Sequence, residues 1–154
     1  MKAIVKTAVI AIISFMATAV QAQQLETFEE NGKYGFKDQN GKVTIEPKYS
    51  GAENFSEGLA SVRFNNKWGF IDKTGKVIIP FKYNSDYGSG SKFSQSLASV
   101  SIDDKWGYID KTGKTAIPFD YNEAWHFSKD GKAHVRIGSD EFCIDKTGKR
   151  IRCW

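Results

Sequence analysis

Lys105-Trp106-Gly107-Tyr108-Ile109-Asp110-Lys111-Thr112-Gly113-Lys114, continued by Thr115-Ala116-Ile117-Pro118-Phe119, decides the fold. Just ahead of it, Ala98, Val100 and Ile102 alternate with Ser99 and Ser101, the period-two pattern of a half-buried strand. Asp103-Asp104 make a tight connection into a second strand, Lys105–Ile109. Asp110–Lys114 then reads as a turn and Thr115–Phe119 as a third strand. A type I turn over Lys111 and Thr112 leaves Gly113 in the left-handed region and closes a G1 bulge. Glycine takes that geometry without a steric penalty. The Asp110 side chain can accept N–H bonds inside the turn.

The pattern recurs along the chain. Asp-Lys-Thr-Gly-Lys also stands at Asp72–Lys76 and Asp145–Lys149, with the variant Asp-Gln-Asn-Gly-Lys at Asp38–Lys42. Gly41, Gly75, Gly113 and Gly148 are 34, 38 and 35 residues apart. A period of that size means one supersecondary unit used repeatedly. Four units follow, at about 25–58, 59–96, 97–131 and 132–154. The first has Tyr34 in place of tryptophan, and the last has Glu141-Phe142 in place of Trp-Gly. Trp68-Gly69 and Trp106-Gly107 have a packing account. A strand glycine lets an aromatic ring lie over its bare backbone, and the tryptophans offer large apolar faces for stacking. Pro47, Pro80 and Pro118 close the third strand of three units, where a residue without an N–H should end pairing or sit on an edge. Linkers Ser50–Gly58, Asn84–Ser96 and Asn122–Gly131 carry most of the irregularity, and each keeps a Phe-Ser pair that pins it to the core.

These residues bear a resemblance. Lys-Trp-Gly-aromatic-Ile-Asp-Lys-Thr-Gly-Lys, then Ile-Pro and tyrosine, then Phe-Ser-x-x-Leu-Ala-x-Val, is similar to the WG-repeat (KWG) proteins of bacteria. The resemblance implies a β-rich repeat domain and supplies no catalytic residues. The expected fold is all-β: tandem three-stranded antiparallel units in an elongated, twisted array, with a small four-bladed propeller as the alternative.

Residues 1–22 have the layout of a signal peptide: Lys2 and Lys6, an apolar run Ala8–Ala19, then Val20-Gln21-Ala22. Export to the periplasm or medium is the expectation, with no stable membrane span once the leader is removed. Net charge falls from +4 to +2 without Lys2 and Lys6, which gives no case for nucleic acid. Strands of five or six residues are too short for an outer-membrane barrel.

Cys143 and Cys153 are the only cysteines, and an even count in an exported chain suggests a disulfide. A hairpin centred on Gly148 sets them opposite one another across two strands, unless the bulge shifts the register. Two free buried thiols are the rival arrangement.

A search for chemistry yields little. Each turn supplies one carboxylate beside lysines, too few oxygens for calcium. His126 and His134 lie on different elements, and no zinc spacing, nucleophile elbow or phosphate loop occurs. No metal, cofactor or catalytic residue is assigned. The expected function is a non-catalytic exported module for binding a protein or a cell-envelope glycan. The alternative is an envelope hydrolase with its site on the long linkers. Positions where units agree (Trp68, Gly69, Trp106, Gly107, Gly41, Gly75, Gly113, Gly148) are assigned to structure. Positions where they differ (Tyr87, Trp125, His126) are assigned to binding.

Overall fold

The computed structural model describes residues 24–84 and 91–154. The leader and Tyr87 lie outside them. All regular structure among the described residues is β. The first unit holds β1 (Glu26–Glu30), β2 (Lys33–Lys37) and β3 (Val43–Tyr49). The second holds β4 (Gly51–Ala52), β5 (Ala60–Phe64), β6 (Lys67–Ile71) and β7 (Val77–Tyr83). The third holds β8 (Leu97–Ile102), β9 (Lys105–Asp110) and β10 (Thr115–Tyr121). The fourth holds β11 (Glu123–Ala124), β12 (Ala133–Ile137), β13 (Asp140–Ile144) and β14 (Arg150–Ile151). Each unit is one antiparallel sheet in chain order. The second and fourth exceed the expected three strands, because the linker ahead of each returns to its first strand: β4 pairs with β5 and β11 with β12.

The two hairpins of a unit use different turn chemistry. The first is a two-residue loop, with both φ angles positive in the first three units, as at Asp103 (φ 50°) and Asp104 (φ 59°), and Gly138 alone positive (φ 60°) in the fourth. That turn matches the twist of the strands it joins. The second is the Asp-to-Lys turn. Gly113 has φ 83°, and its N–H donates to the Asp110 carbonyl at 2.9 Å. Asp110 Oδ1 accepts the Thr112 N–H (2.9 Å), the Lys114 N–H (3.1 Å) and the Thr112 hydroxyl (2.6 Å). Asp72 and Asp145 make the same three bonds. The threonine hydroxyl, seconded by the backbone N–H groups, holds all three carboxyls below their ordinary value.

The prolines sit on edge strands, one of the two placements expected, since β3, β7 and β10 each lie at the edge of a sheet. The expected strand end is corrected: the third strand does not stop at proline but continues through it to the tyrosine. In β7, Ile79 pairs with Phe70 and Tyr83 with Trp68, so Pro80-Phe81-Lys82 form a bulge opposite Gly69. A bulge accepts a residue that cannot donate to the ladder. The partner glycine is what makes room. A β-carbon on Gly107 would lie 2.8 Å from the Ile117 carbonyl oxygen, and one on Gly35 2.5 Å from that of Ile45. The Trp-Gly glycine therefore admits the third strand's backbone as well as the Phe81 or Phe119 ring.

The core consists of seams between neighbouring units. Phe70, Ile79, Tyr83 and Phe93 of the second unit pack on Ala98, Val100 and Ile109 of the third. Tyr108, Ile117, Tyr121 and Phe127 pack on Ala133, Val135 and Ile144 of the fourth. Phe36, Ile45 and Tyr49 pack on Ala60, Val62 and Ile71 in the same way. The second and third sheets thus have two working faces, one for each neighbour, and the first and fourth have one. Among the described residues no cluster joins the first unit to the last, and the three seams follow one another as a tandem row. The Phe-Ser pairs act as expected. Phe93 and Phe127 are buried, and the Ser56 and Ser94 hydroxyls donate to the carbonyls of Phe93 and Phe127 in the next linker, at 2.7 and 2.6 Å.

The last unit departs from the pattern. Phe142 stands where Gly69 and Gly107 stand, leaving no room for a bulge, and β14 ends at Ile151 rather than running to Trp154. The Phe142 ring instead meets Tyr121 edge-on at 6.4 Å and carries the Arg150 guanidinium at 4.3 Å. Cys143 and Cys153 are joined in a disulfide with Cα atoms 5.2 Å apart. The ladder partner of Cys143 is Ile151, not Cys153, so the chain leaves the sheet after β14 and brings Cys153 back to it.

Candidate functional site: an aromatic cleft on the last linker

Trp125 and His126 lie immediately after β11, in the linker between the third and fourth units. Two backbone bonds fix the segment. The Trp125 N–H donates to the His134 carbonyl on β12 at 3.0 Å, and the Tyr108 hydroxyl on β9 donates to the Trp125 carbonyl at 2.8 Å. Burial pushes the Tyr108 hydroxyl pKa up, so it stays a donor at all physiological pH. The Trp125 side chain is 44% exposed on this tethered backbone.

Trp106 shares the site. It is half-buried against the third seam, whereas Trp68 is 3% exposed. Trp68 is covered by the linker strand ahead of it, where a β-carbon on Gly51 would come within 3.0 Å of the indole. Trp106, Glu123, Ala124 and Trp125 line a cleft of about 180 Å³. A wider one of about 350 Å³ adds Glu53, Ser91, Lys92, Ser99 and His126 around the same indoles. Burial, and then the Lys92 charge, pull the His126 pKa below its ordinary value, so the ring is neutral near pH 7. Glu123 is paired with Arg136, which lowers its pKa in turn. The cleft therefore offers aromatic faces, a neutral imidazole and a rim of mixed charge.

Of the residues assigned to binding, the structure brings Trp125 and His126 together, while Tyr87 lies outside the described residues. Sequence reasoning assigned Trp106 to structure, with a ligand-stacking role as the alternative. Its exposed flank depends on how the linker beside it folds, which the repeat pattern does not encode. A second grouping was also missed. His134, Cys143 and Cys153 present ligand atoms within 4.8 Å of one another. The signal was available in the hairpin register, since β12 and β13 put His134 directly opposite Cys143.

A family model described as the WG containing repeat matches three consecutive segments, residues 34–68, 68–106 and 106–139. The chain belongs to that family. Each segment starts at the aromatic residue of one unit, and the first two end at the tryptophan of the next. No curated protein and no solved structure matches the chain. Among the described residues, no helix is long and apolar enough to cross a membrane.

Proposed function

We propose that this is a non-catalytic, exported repeat module that binds a cell-envelope glycan in the Trp106–Trp125 cleft. The observation that carries the reading is the pair of indoles lining one shallow cleft, with polar side chains around it. A sugar ring presents C–H bonds to an aromatic face and hydroxyls to its edge, and this cleft has partners for both. Export rests on Lys2, Lys6 and the apolar run to Ala19. The rival reading, a hydrolase on the linkers, needs two carboxyls across a cleft. The carboxyls that line the clefts are Glu53 and Glu123, and Glu123 is engaged by Arg136.

The experiment is co-sedimentation with insoluble envelope polysaccharide, followed by calorimetry with its soluble oligomers. Trp125→Ala should abolish binding and leave the circular dichroism spectrum unchanged. Release of new reducing ends during incubation would favour the hydrolase. Capture of an envelope protein by wild type but not Trp125→Ala, with no glycan binding, would replace glycan by protein as the ligand.

A further inference from the structure

We infer that reduction of the Cys143–Cys153 disulfide converts the outer face of the last sheet into a binding site for one divalent ion of the zinc class. The inference is independent of the glycan reading. It starts from what stands at each position of the repeat. In the second unit the face toward the next unit carries, across the ladder, Ser61 on the first strand, Phe70 on the second and Ile79 on the third, and Phe70 and Ile79 build the seam. At the corresponding ladder positions the fourth unit carries His134, Cys143 and Ile151, and Cys153 returns to Cys143 from beyond the strand. A sulfur thus stands where the seam has the Phe70 ring, with an imidazole opposite it and a second sulfur joined to it.

The geometry agrees. One ring nitrogen of His134 and both sulfurs lie within 4.8 Å of one another. His134 and Cys143 are cross-strand partners, and the cysteine Cα atoms are 5.2 Å apart. Two thiolates on one tetrahedral ion sit about 3.8 Å apart, as bonds of about 2.3 Å require, so side-chain rotation can accommodate the change. The Glu141 carboxylate, 3.3 Å from His134 Nδ1, lies beside this group and orients the imidazole, which leaves the fourth position to solvent. Two thiolates and an imidazole are a borderline-soft set that suits zinc and its analogues. Access is open, because a groove of about 590 Å³ bounded by Trp125, His126 and Asp130 reaches all four residues.

The chemistry balances. A dithiol reductant of the thioredoxin class gives up two electrons and two protons and becomes a disulfide. The S–S bond breaks and leaves two thiols. The ion then displaces both thiol protons to solvent. In the oxidised protein the sulfurs are bonded to each other and the site is closed to metal.

The test is titration of the full chain with cobalt(II) and cadmium(II), with and without prior reduction. The reduced protein should show a thiolate-to-metal charge-transfer band saturating at one ion per chain, and the oxidised protein none. His134→Ala should weaken binding at least about tenfold. Cys153→Ser, which alters a residue beyond the last strand, should abolish the two-thiolate spectrum even if a Cys143 variant fails to fold. Absence of a band in the reduced protein, equal binding by the oxidised protein, or equal affinity of His134→Ala would each overturn the inference.

Discussion

At the scale of single residues, the turn glycines carry two constraints that differ from unit to unit. All four have φ between 81° and 83°. A β-carbon on Gly41 would meet nothing within 4 Å, whereas one on Gly113 would lie 3.2 Å from Ile79 Cγ2 of the preceding unit. Gly41→Val should therefore cost about 1–2 kcal/mol from left-handed strain alone. Gly113→Val should cost more, because the Asp-to-Lys turn is also a docking surface. Thermal melts of the two variants would show this, and equal losses would remove the docking contribution. The turn aspartates set a pH dependence. Their folded-state pKa values lie below the ordinary 3.8, so the unfolded chain takes up protons first as pH falls. Their contribution is complete above that ordinary value and is lost as pH drops through the depressed one. Relative to wild type, the triple variant Asp72→Asn, Asp110→Asn, Asp145→Asn should be less stable near pH 7, with the gap closing under acid. A gap independent of pH would mean that the charge is not what the turns use.

At the scale of elements, the third strand and the Trp-Gly glycine form one device. The bulge at Pro118 requires a partner residue without a β-carbon, because Ile117 O occupies that space. Gly107→Ala should push the bulge away and cost about 1–3 kcal/mol as overpacking against backbone. Equilibrium denaturation measures it, and an unchanged midpoint would contradict the geometry. Much of this was legible in the sequence, for identifiable reasons. The alternation in Ala98–Ile102 and the Asp-x-Thr-Gly-Lys string fix strands and turns through local rules. The bulge was not legible, because proline forbids a ladder bond without saying whether the strand stops or bends. The linker strands β4 and β11 were missed because two residues, such as Gly51-Ala52, carry no periodicity. The two tryptophans show the same limit. Closely similar local sequence surrounds them, Lys-Trp-Gly-aromatic-Ile in both, yet Trp68 is covered by its linker and Trp106 is only half covered. Trp68→Ala should therefore cost about 3–5 kcal/mol, and Trp106→Ala less.

At the scale of the whole molecule, stability resides in seams, and each seam belongs to two adjacent units. The last unit has one seam, formed by Ala133, Val135 and Ile144 against Leu97, Tyr108, Ile117, Tyr121 and Phe127. The second and third units each have two. In a row of this kind, stability is close to a sum of unit and neighbour contributions, so an end unit can open without its neighbours. The disulfide lies in that unit, and the Asp145–Lys149 turn it encloses docks on the preceding one, where a β-carbon on Gly148 would lie 3.2 Å from Ile117 Cγ2. Reduction combined with Gly148→Val weakens both the closure and the dock. Hydrogen exchange should then show protection lost across Ala133–Ile151 while the amides of β5, β6, β8 and β9 keep theirs. The same valine at Gly75 acts on an inner unit and should lower protection on both sides of it. Uniform loss across all four sheets in the first variant would show that the array opens as one cooperative body, and that the seams do not divide it.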